Sequence, residues 1–525
     1  MNMVTFNLLT EPWIPVITGD GMKLELGMID VLSRAHDLAG IIDPSPLVQF
    51  GIHRLLVAFV ANVFRYDCID DIAGAIEHGR LDMDKINAYC QKWRDRFDLF
   101  DEKHPFYQVP VKDDDEIKKK SPAELFKQLP VATNVMHFSM TRVHDSEHAM
   151  SPAACARALC TLPPFATTGG VGFYPGINKT PPIYALVIGK NLFETIALNI
   201  PAIPIEENSG TGPVAWESDE ITAKKEVAAV STLQGMTFQP RSVHLFPGAG
   251  GVCTITGKES PVLVREIMFD PGLKLAGKWT DPSVAYVTSD ERKCIKMYDG
   301  KSIWRDTGPL MICMNSTRGS EKKGTKIVYE RPFIVHQWDV LVREKLLPWR
   351  SITVSIHGLR SDKAKISEWQ TEILSMPVEV MNDPDAGSHV LAAMEYAEKT
   401  IDYAIGKAIK KLYPGDKKEK GTAFNTIIAR ARHDFWSVME PVFRDEFIWS
   451  IARRDKNDVN AWTAVDEAWK KGAVKNGAIV VDAAIESAGS TARIIVNGVV
   501  ARETYNNIIY NKFNKKNVKN DGGTR

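Results

Sequence analysis

The stretch Asn382-Asp383-Pro384-Asp385-Ala386-Gly387 separates two kinds of sequence. Proline fixes φ, Asn and Asp side chains bond to nearby backbone, and glycine accepts either sign of φ, so the run reads as a hinge. After it, apolar residues recur at helical spacing. Helices are expected over Ser388–Leu412, Gly421–Val442, Phe443–Arg453 continuing to Lys471, and Ala478–Lys515. Breaks are expected at Pro414-Gly415-Asp416 and around Gly472–Gly477, and β-branched Ile494–Val500 weakens the last helix locally. Four helices with short connections imply an antiparallel four-helix bundle over 382–525, ending in a basic tail from Lys512 to Arg525.

Before the hinge, short β-rich segments alternate with Pro and Gly. These segments are Ile183–Ile188, Val262–Val264, Val284–Val287, Ile295–Tyr298 and Ile352–Ile356, while Leu47–Val63 is apolar at helical spacing and long enough for a buried helix. Loops are expected at 110–122, 139–152, 166–182, 204–220 and 314–326, lengths that usually carry function. The fold class is therefore α+β: a large irregular mixed domain over 1–381, then the helical bundle over 382–525.

Composition narrows the function. The 65 basic side chains equal the 65 acidic ones, so the chain as a whole has no attraction for polyanions, and any nucleic-acid site must come from local sorting of charge. That argues against a stand-alone DNA-binding protein and fits a subunit placed on nucleic acid by partners. The 7 cysteines are dispersed without a CxxC pair, which reads as reduced thiols. The N-terminus lacks the pattern of a signal peptide, and no stretch approaches the ~20 apolar residues of a membrane span. A soluble cytoplasmic protein without membrane contact is expected.

No enzyme signature is present: no HExxH, Walker A, nucleophile elbow or two-metal carboxylate cluster. His144 and His148 are four apart, but their segment reads as a solvated loop rather than a metal site. The run Thr167-Thr168-Gly169-Gly170-Val171-Gly172-Phe173-Tyr174-Pro175-Gly176 lacks GxGxxG spacing and is interrupted by Pro175. From composition it is a flexible connector; a backbone ribbon pressed into a nucleic-acid groove is the sharper alternative. Lys118-Lys119-Lys120 reads as a solvated loop. Lys417, Lys418 and Lys420, near Lys410 and Lys411, read as an ordinary charged helix connection, or as part of a track for a phosphate backbone.

Several motifs, in order and over nearly the whole chain, resemble the CasA-type large subunit of type I-E CRISPR Cascade complexes. They are Glu11-Pro12-Trp13-Ile14-Pro15-Val16, His104-Pro105-Phe106-Tyr107-Gln108, Ala132-Thr133-Asn134, Gly170–Gly189 and Phe238-Gln239-Pro240, followed by the helical bundle. The resemblance implies a non-enzymatic subunit without cofactor, assembled with other Cascade subunits and guide RNA. Such a subunit reads the short adjacent motif of double-stranded target DNA from the minor groove and starts strand opening. A separate helicase–nuclease then cuts. Carried onto this chain, the resemblance puts Gly170, Val171 and Gly172 in the groove loop, with Val171 departing from the family's glycine run. It puts His137, Phe138 and Ser139 in a first DNA-facing loop, and Lys274 as the groove lysine. The wedge falls in Gly358-Leu359-Arg360-Ser361-Asp362-Lys363-Ala364, with Asp362, Lys363 and Ala364 at its turn and Lys363 where a glutamine can stand. Read from clustered charge rather than from the resemblance, Lys417, Lys418 and Lys420 would guide the displaced single strand. Some relatives carry a CxxC-like cluster where this chain has Cys253-Thr254-Ile255-Thr256-Gly257, and one thiol cannot build a structural zinc site, so no metal is expected. Two competing readings stay open: a hydrolase or nucleotide-binding enzyme using the 166–182 loop, and a scaffold that contacts only protein.

Overall fold

The computed structural model describes residues 4–111, 117–126, 148–168, 173–202, 213–219, 225–298, 301–312, 314–319, 326–362, 365–412 and 421–514. The chain forms two compact units, Met1–Met297 with Ile327–Ser375, and Tyr298–Lys326 with Met376–Arg525. The first mixes helices and sheets and the second is largely helical, the α+β class read from the sequence.

The first unit is built on the helix Pro46–Phe64. Ser45 caps it by accepting from the Val48 amide at 3.5 Å, and Pro46 occupies the first turn, where its missing N–H is not needed. Apolar residues surround nearly the whole cylinder, as a helix buried on all sides requires. At 19 residues it is long and apolar enough to cross a membrane, which corrects the reading that no stretch comes near that length. Here it is a core helix, and it buries a charge. Arg54 donates to Asp281 at 3.2 and 2.9 Å and to the Met236 carbonyl at 2.9 Å. Burial is the largest single influence and opposes the guanidinium's charge, but the charge and bonds of Asp281, with Tyr184 and Tyr107, together raise its pKa.

Small sheets make up much of the rest of the unit, with Leu38–Ile41 and Ser351–Asp362 reaching this helix. Ile14–Thr18 pairs antiparallel with both Lys23–Leu26 and Leu38–Ile41. Arg241–Val252 and Glu259–Pro271 form a long antiparallel ladder, extended by Lys119–Lys120. Lys119 and Lys120 are therefore strand residues rather than a solvated loop. Lys225–Val227 pairs in parallel with Leu273–Leu275. Tyr184–Val187 lies against Ser351–Asp362, which is followed in the same sheet by Lys365–Pro377. Ile295–Tyr298, expected as β, follows a strand that ends at Cys294, and the expected 314–326 loop contains the strand Met314–Gly319.

Tyr298–Lys326, placed before the hinge in the sequence, packs within the second unit. The reason is aromatic: Trp304 lies 5.7 Å from Trp436 and 5.2 Å from Phe443, and the Arg305 guanidinium sits 3.7 Å from the centre of the Trp436 ring. In the hinge itself, Asp383 accepts from the Asp385 and Ala386 amides at 3.0 and 3.2 Å and also takes the Arg454 guanidinium.

Among the described residues of this unit, four helical rods run over Ala386–Leu412, Gly421–Arg453, Ala461–Ser487 and Ala492–Asn514. The expected break at Gly472–Gly477 does not occur. A Cβ on Gly477 would stand 2.3 Å from the Tyr505 hydroxyl, and one on Gly472 would stand 3.3 Å from Val442 Cγ1, so these glycines admit neighbours into a continuous helix. The break comes instead at 454–460. There Asp455 and Asp458 accept from the Asn457 and Asn460 amides, both at 2.9 Å, and turn the chain. Single π turns at Thr400–Ile405, Val442–Phe447 and Ile509–Asn514 reset the phase of three rods.

Candidate nucleic-acid interface

The glycine-rich run leaves the short helix Leu162–Phe165 and returns at Phe173. Its two shoulders are tied together. The Gly176 amide donates to the Ala166 carbonyl at 3.2 Å, and a Cβ on Gly176 would come within 3.0 Å of that oxygen. Beyond it, Asn178 donates to Asp281 at 2.9 Å and so rests on the acid that also holds Arg54.

Arg241 closes the loop. It opens the strand Arg241–Val252, directly after the Phe238-Gln239-Pro240 step, and is 2% exposed. One terminal nitrogen donates to the Tyr174 carbonyl at 2.8 Å and the Pro240 carbonyl at 2.6 Å. The other donates to the Thr167 carbonyl. The guanidinium also lies 5.1 Å from the centre of the Phe173 ring. No carboxylate pairs with it among the described residues, and burial pushes its pKa down to about 10.

Around this clamp, cations sit on aromatic faces. Phe173 stacks on Phe269 at 5.9 Å, and the Lys120 ammonium lies 5.1 and 5.8 Å from the two ring centres. Lys274 lies 5.2 Å from the Tyr174 ring, and Lys119 lies 4.9 Å from Phe246. Each ammonium also has an acid: Glu226 for Lys274 at 2.6 Å, Asp270 for Lys120 at 3.7 Å and Glu266 for Lys119 at 2.7 Å. The bond from Glu226, then its charge, raises the Lys274 pKa. Lys274, the expected groove lysine, thus stands beside a shoulder of the loop with its charge already matched.

The other recognisable motifs brace this region. Trp13 is fully buried, and its carbonyl accepts from Arg157 at 2.7 Å. Gln108, in the His104–Gln108 turn, donates to the Leu99 carbonyl at 2.9 Å and accepts from the Leu245 amide at 2.8 Å. Leu245 belongs to the strand that Arg241 opens, so the turn supports the clamp from below.

Over residues 7–476 the chain matches the family model for CRISPR-associated protein Cse1. The chain belongs to the Cse1 family. Among curated proteins, CasA/Cse1 of Thermus thermophilus is 28% identical over 425 residues, covering 78% of this chain and 77% of that one. The crystal structure of Thermobifida fusca Cse1 superposes with a TM-score of 0.72 at 22% identity, over 96% of this chain and 98% of that one. A chain of a CRISPR RNA-guided surveillance complex superposes with a TM-score of 0.68 at 19% identity, over 95% and 99%. The protein is a large subunit of the CasA/Cse1 type.

Most site residues that the resemblance implies in this Cse1-family chain fall outside the described residues: His137, Phe138 and Ser139, Gly170, Val171 and Gly172, Lys363 and Ala364, and Lys417, Lys418 and Lys420. So does His144. Within the stretch that holds the expected wedge turn, Gly358–Asp362 belongs to the strand Ser351–Asp362, and Leu359 is buried with Leu47, Phe50 and Tyr184; the next described strand is Lys365–Pro377. Among the described residues, no group of three or more His, Cys, Asp and Glu is placed to hold a metal; Cys253 accepts instead from the Ser151 amide at 3.3 Å. Two residues escaped the sequence reading. Lys120 looked like one of a solvated run, and Arg241 carried only a positional signal, an arginine directly after the Gln-Pro step.

Proposed function

We propose that this Cse1-family subunit works within a CRISPR RNA-guided surveillance complex as its reader of duplex DNA. It presents Gly170-Val171-Gly172 to the minor groove beside the target, and the Lys363 connection holds the strands apart once opening begins. Guide RNA and the other subunits read the target by pairing, and a separate helicase–nuclease cuts. The observation that carries this reading is the clamp. Thr167 and Tyr174 are held by one guanidinium, so the side-chain-poor segment between them is seated at both ends. The minor groove is only ~6 Å wide, and a segment with few side chains suits so narrow a groove. Acid-matched lysines at the same edge fit a subunit that is delivered to DNA by partners rather than by its own charge.

The test uses the assembled complex and duplexes with and without the adjacent motif. Gly172→Asp should abolish preference for the motif-bearing duplex while assembly persists, and undiminished preference would remove the loop from the mechanism. Lys363→Ala should slow opening of paired duplex but leave binding to a pre-opened target nearly normal. Changing Lys417, Lys418 and Lys420 together to Ala should lower the log–log salt slope by about 0.7 for each lost single-strand phosphate contact. The purified subunit should cut no DNA and hydrolyse no nucleotide. A scaffold that touches only protein would leave every one of these DNA readouts unchanged.

A further inference from the structure

We propose that Arg241 is a positioning residue for DNA reading, one that seats the glycine-rich segment by its two shoulders without itself touching DNA. The inference rests on the functional reading above and adds to it the residue on which the loop's placement depends.

Three features point to this role. The first is geometry. A guanidinium offers five donors in a rigid plane, so one side chain can hold oxygens on different strands of chain at once. Arg241 uses that fork on the carbonyls of Thr167, Tyr174 and Pro240, which joins the loop's departure, its return and the start of a long strand. The second is charge. Arg54 is similarly buried but has Asp281, whereas among the described residues Arg241 has carbonyl dipoles and the Phe173 face in place of an acid. A buried cation without a counter-charge is expensive, and an apolar side chain would fill the space more cheaply. What the apolar side chain would lack is the fork. The third is support: a Cβ on Gly272 would meet the Arg241 amide nitrogen at 2.6 Å and the Gln239 carbonyl oxygen at 2.6 Å, so backbone packs tightly against the base of the arginine. Fixing the ends of a segment lowers its conformational entropy before any ligand arrives, and recognition then has less ordering to do.

Arg241→Lys is the informative variant because it keeps the charge and loses the fork. Arg241→Gln, which has a shorter planar amide, serves as the second variant should lysine lower the yield of assembled complex. Amide hydrogen exchange of the peptide spanning 167–176 is compared in assembled complexes, alongside binding to motif-bearing duplex and to the same target with its strands already separated beside the motif. The expected result is exchange faster by about tenfold or more, duplex affinity lower by about tenfold, and a much smaller loss on the pre-opened target, with assembly and melting temperature close to wild type. Unchanged exchange in both variants would overturn the proposal. Equal losses on paired and pre-opened targets would also overturn it, because a general loss of folding produces that pattern. Gly172→Asp is the control that separates this inference from the reading beneath it. If Gly172→Asp abolishes motif preference while Arg241→Lys leaves it intact, the inference fails alone. If neither matters, the functional reading fails.

Discussion

In the first unit Arg54, Arg157 and Arg241 are each less than a tenth exposed, and each holds backbone carbonyls. In the helical unit Arg432, Arg444 and Arg502 keep more than half of their side chains in solvent and pair with Asp402, Asp445 and Asp482. The difference follows from what the backbone needs. A helix satisfies its own N–H and C=O groups, so its charges are free to stay outside, where a pair contributes little. Irregular segments have no such internal partner, and in the first unit buried guanidiniums supply the missing donors. Arg305 and Arg454 are the exceptions that mark the rule. Arg454 serves the 454–460 break and the hinge acid Asp383, and Arg305 serves the 298–326 segment, both places where helix gives way.

The largest effect should come from breaking a buried pair. Arg54→Met leaves Asp281, whose side chain is fully buried, without its cation, and should destabilise the protein by about 3–5 kcal/mol in urea unfolding. A loss below about 1 kcal/mol would break the comparison, because it would equate this pair with the surface ones. Next comes acid. Burial lowers the His53 pKa to about 4, so between its ordinary value and pH 4 the unfolded chain takes up a proton that the folded chain refuses. Stability is full above that window and falls as pH drops through it, by on the order of 3 kcal/mol. His53→Gln should flatten the profile of urea midpoint against pH, and an unaltered slope would refute the assignment. Gly477→Val drives a side chain into the Tyr505 hydroxyl and should cost about 1–3 kcal/mol in thermal unfolding. Gly472→Ala, with its neighbour 3.3 Å away, should be close to neutral, because helix propensity gains up to about 1 kcal/mol against slight crowding. The smallest effect is expected at the surface: Arg502→Ala should leave the urea midpoint unchanged at ordinary salt, because solvent and ions screen the exposed pair with Asp482.

The α+β class and the long apolar helix were legible because each is written locally, the helix as apolar spacing at Leu47–Val63, whereas the turn residues at Asn382–Gly387 lie inside the second unit, which resumes at Met376. The helix ends in the second unit were not legible. Gly472 and Gly477 look like breaks in one dimension, and only the approach of Val442 and Tyr505 shows them as places where helices meet. The π turns shift the apolar stripe within a rod, so a period counted across them loses phase. Trp304 and Arg305 joined the helical unit through rings more than a hundred residues away, a pairing that no local pattern records. At the candidate site, motif order pointed to the loop whose shoulders Arg241 holds, and the clamp itself stayed hidden because it depends on what its donors reach rather than on its neighbours in sequence. Lys274 was placed beside that loop by resemblance, but its partner Glu226 came to light only through the parallel pairing of Lys225–Val227 with Leu273–Leu275.

Arg241 grips main-chain oxygens at Thr167 and Tyr174, and every residue type carries such an oxygen. The grip is therefore indifferent to which side chains lie between the two shoulders. A substitution at either shoulder changes a side chain and leaves the gripped oxygen in place, so this seat tolerates sequence change that a clamp on side chains would not.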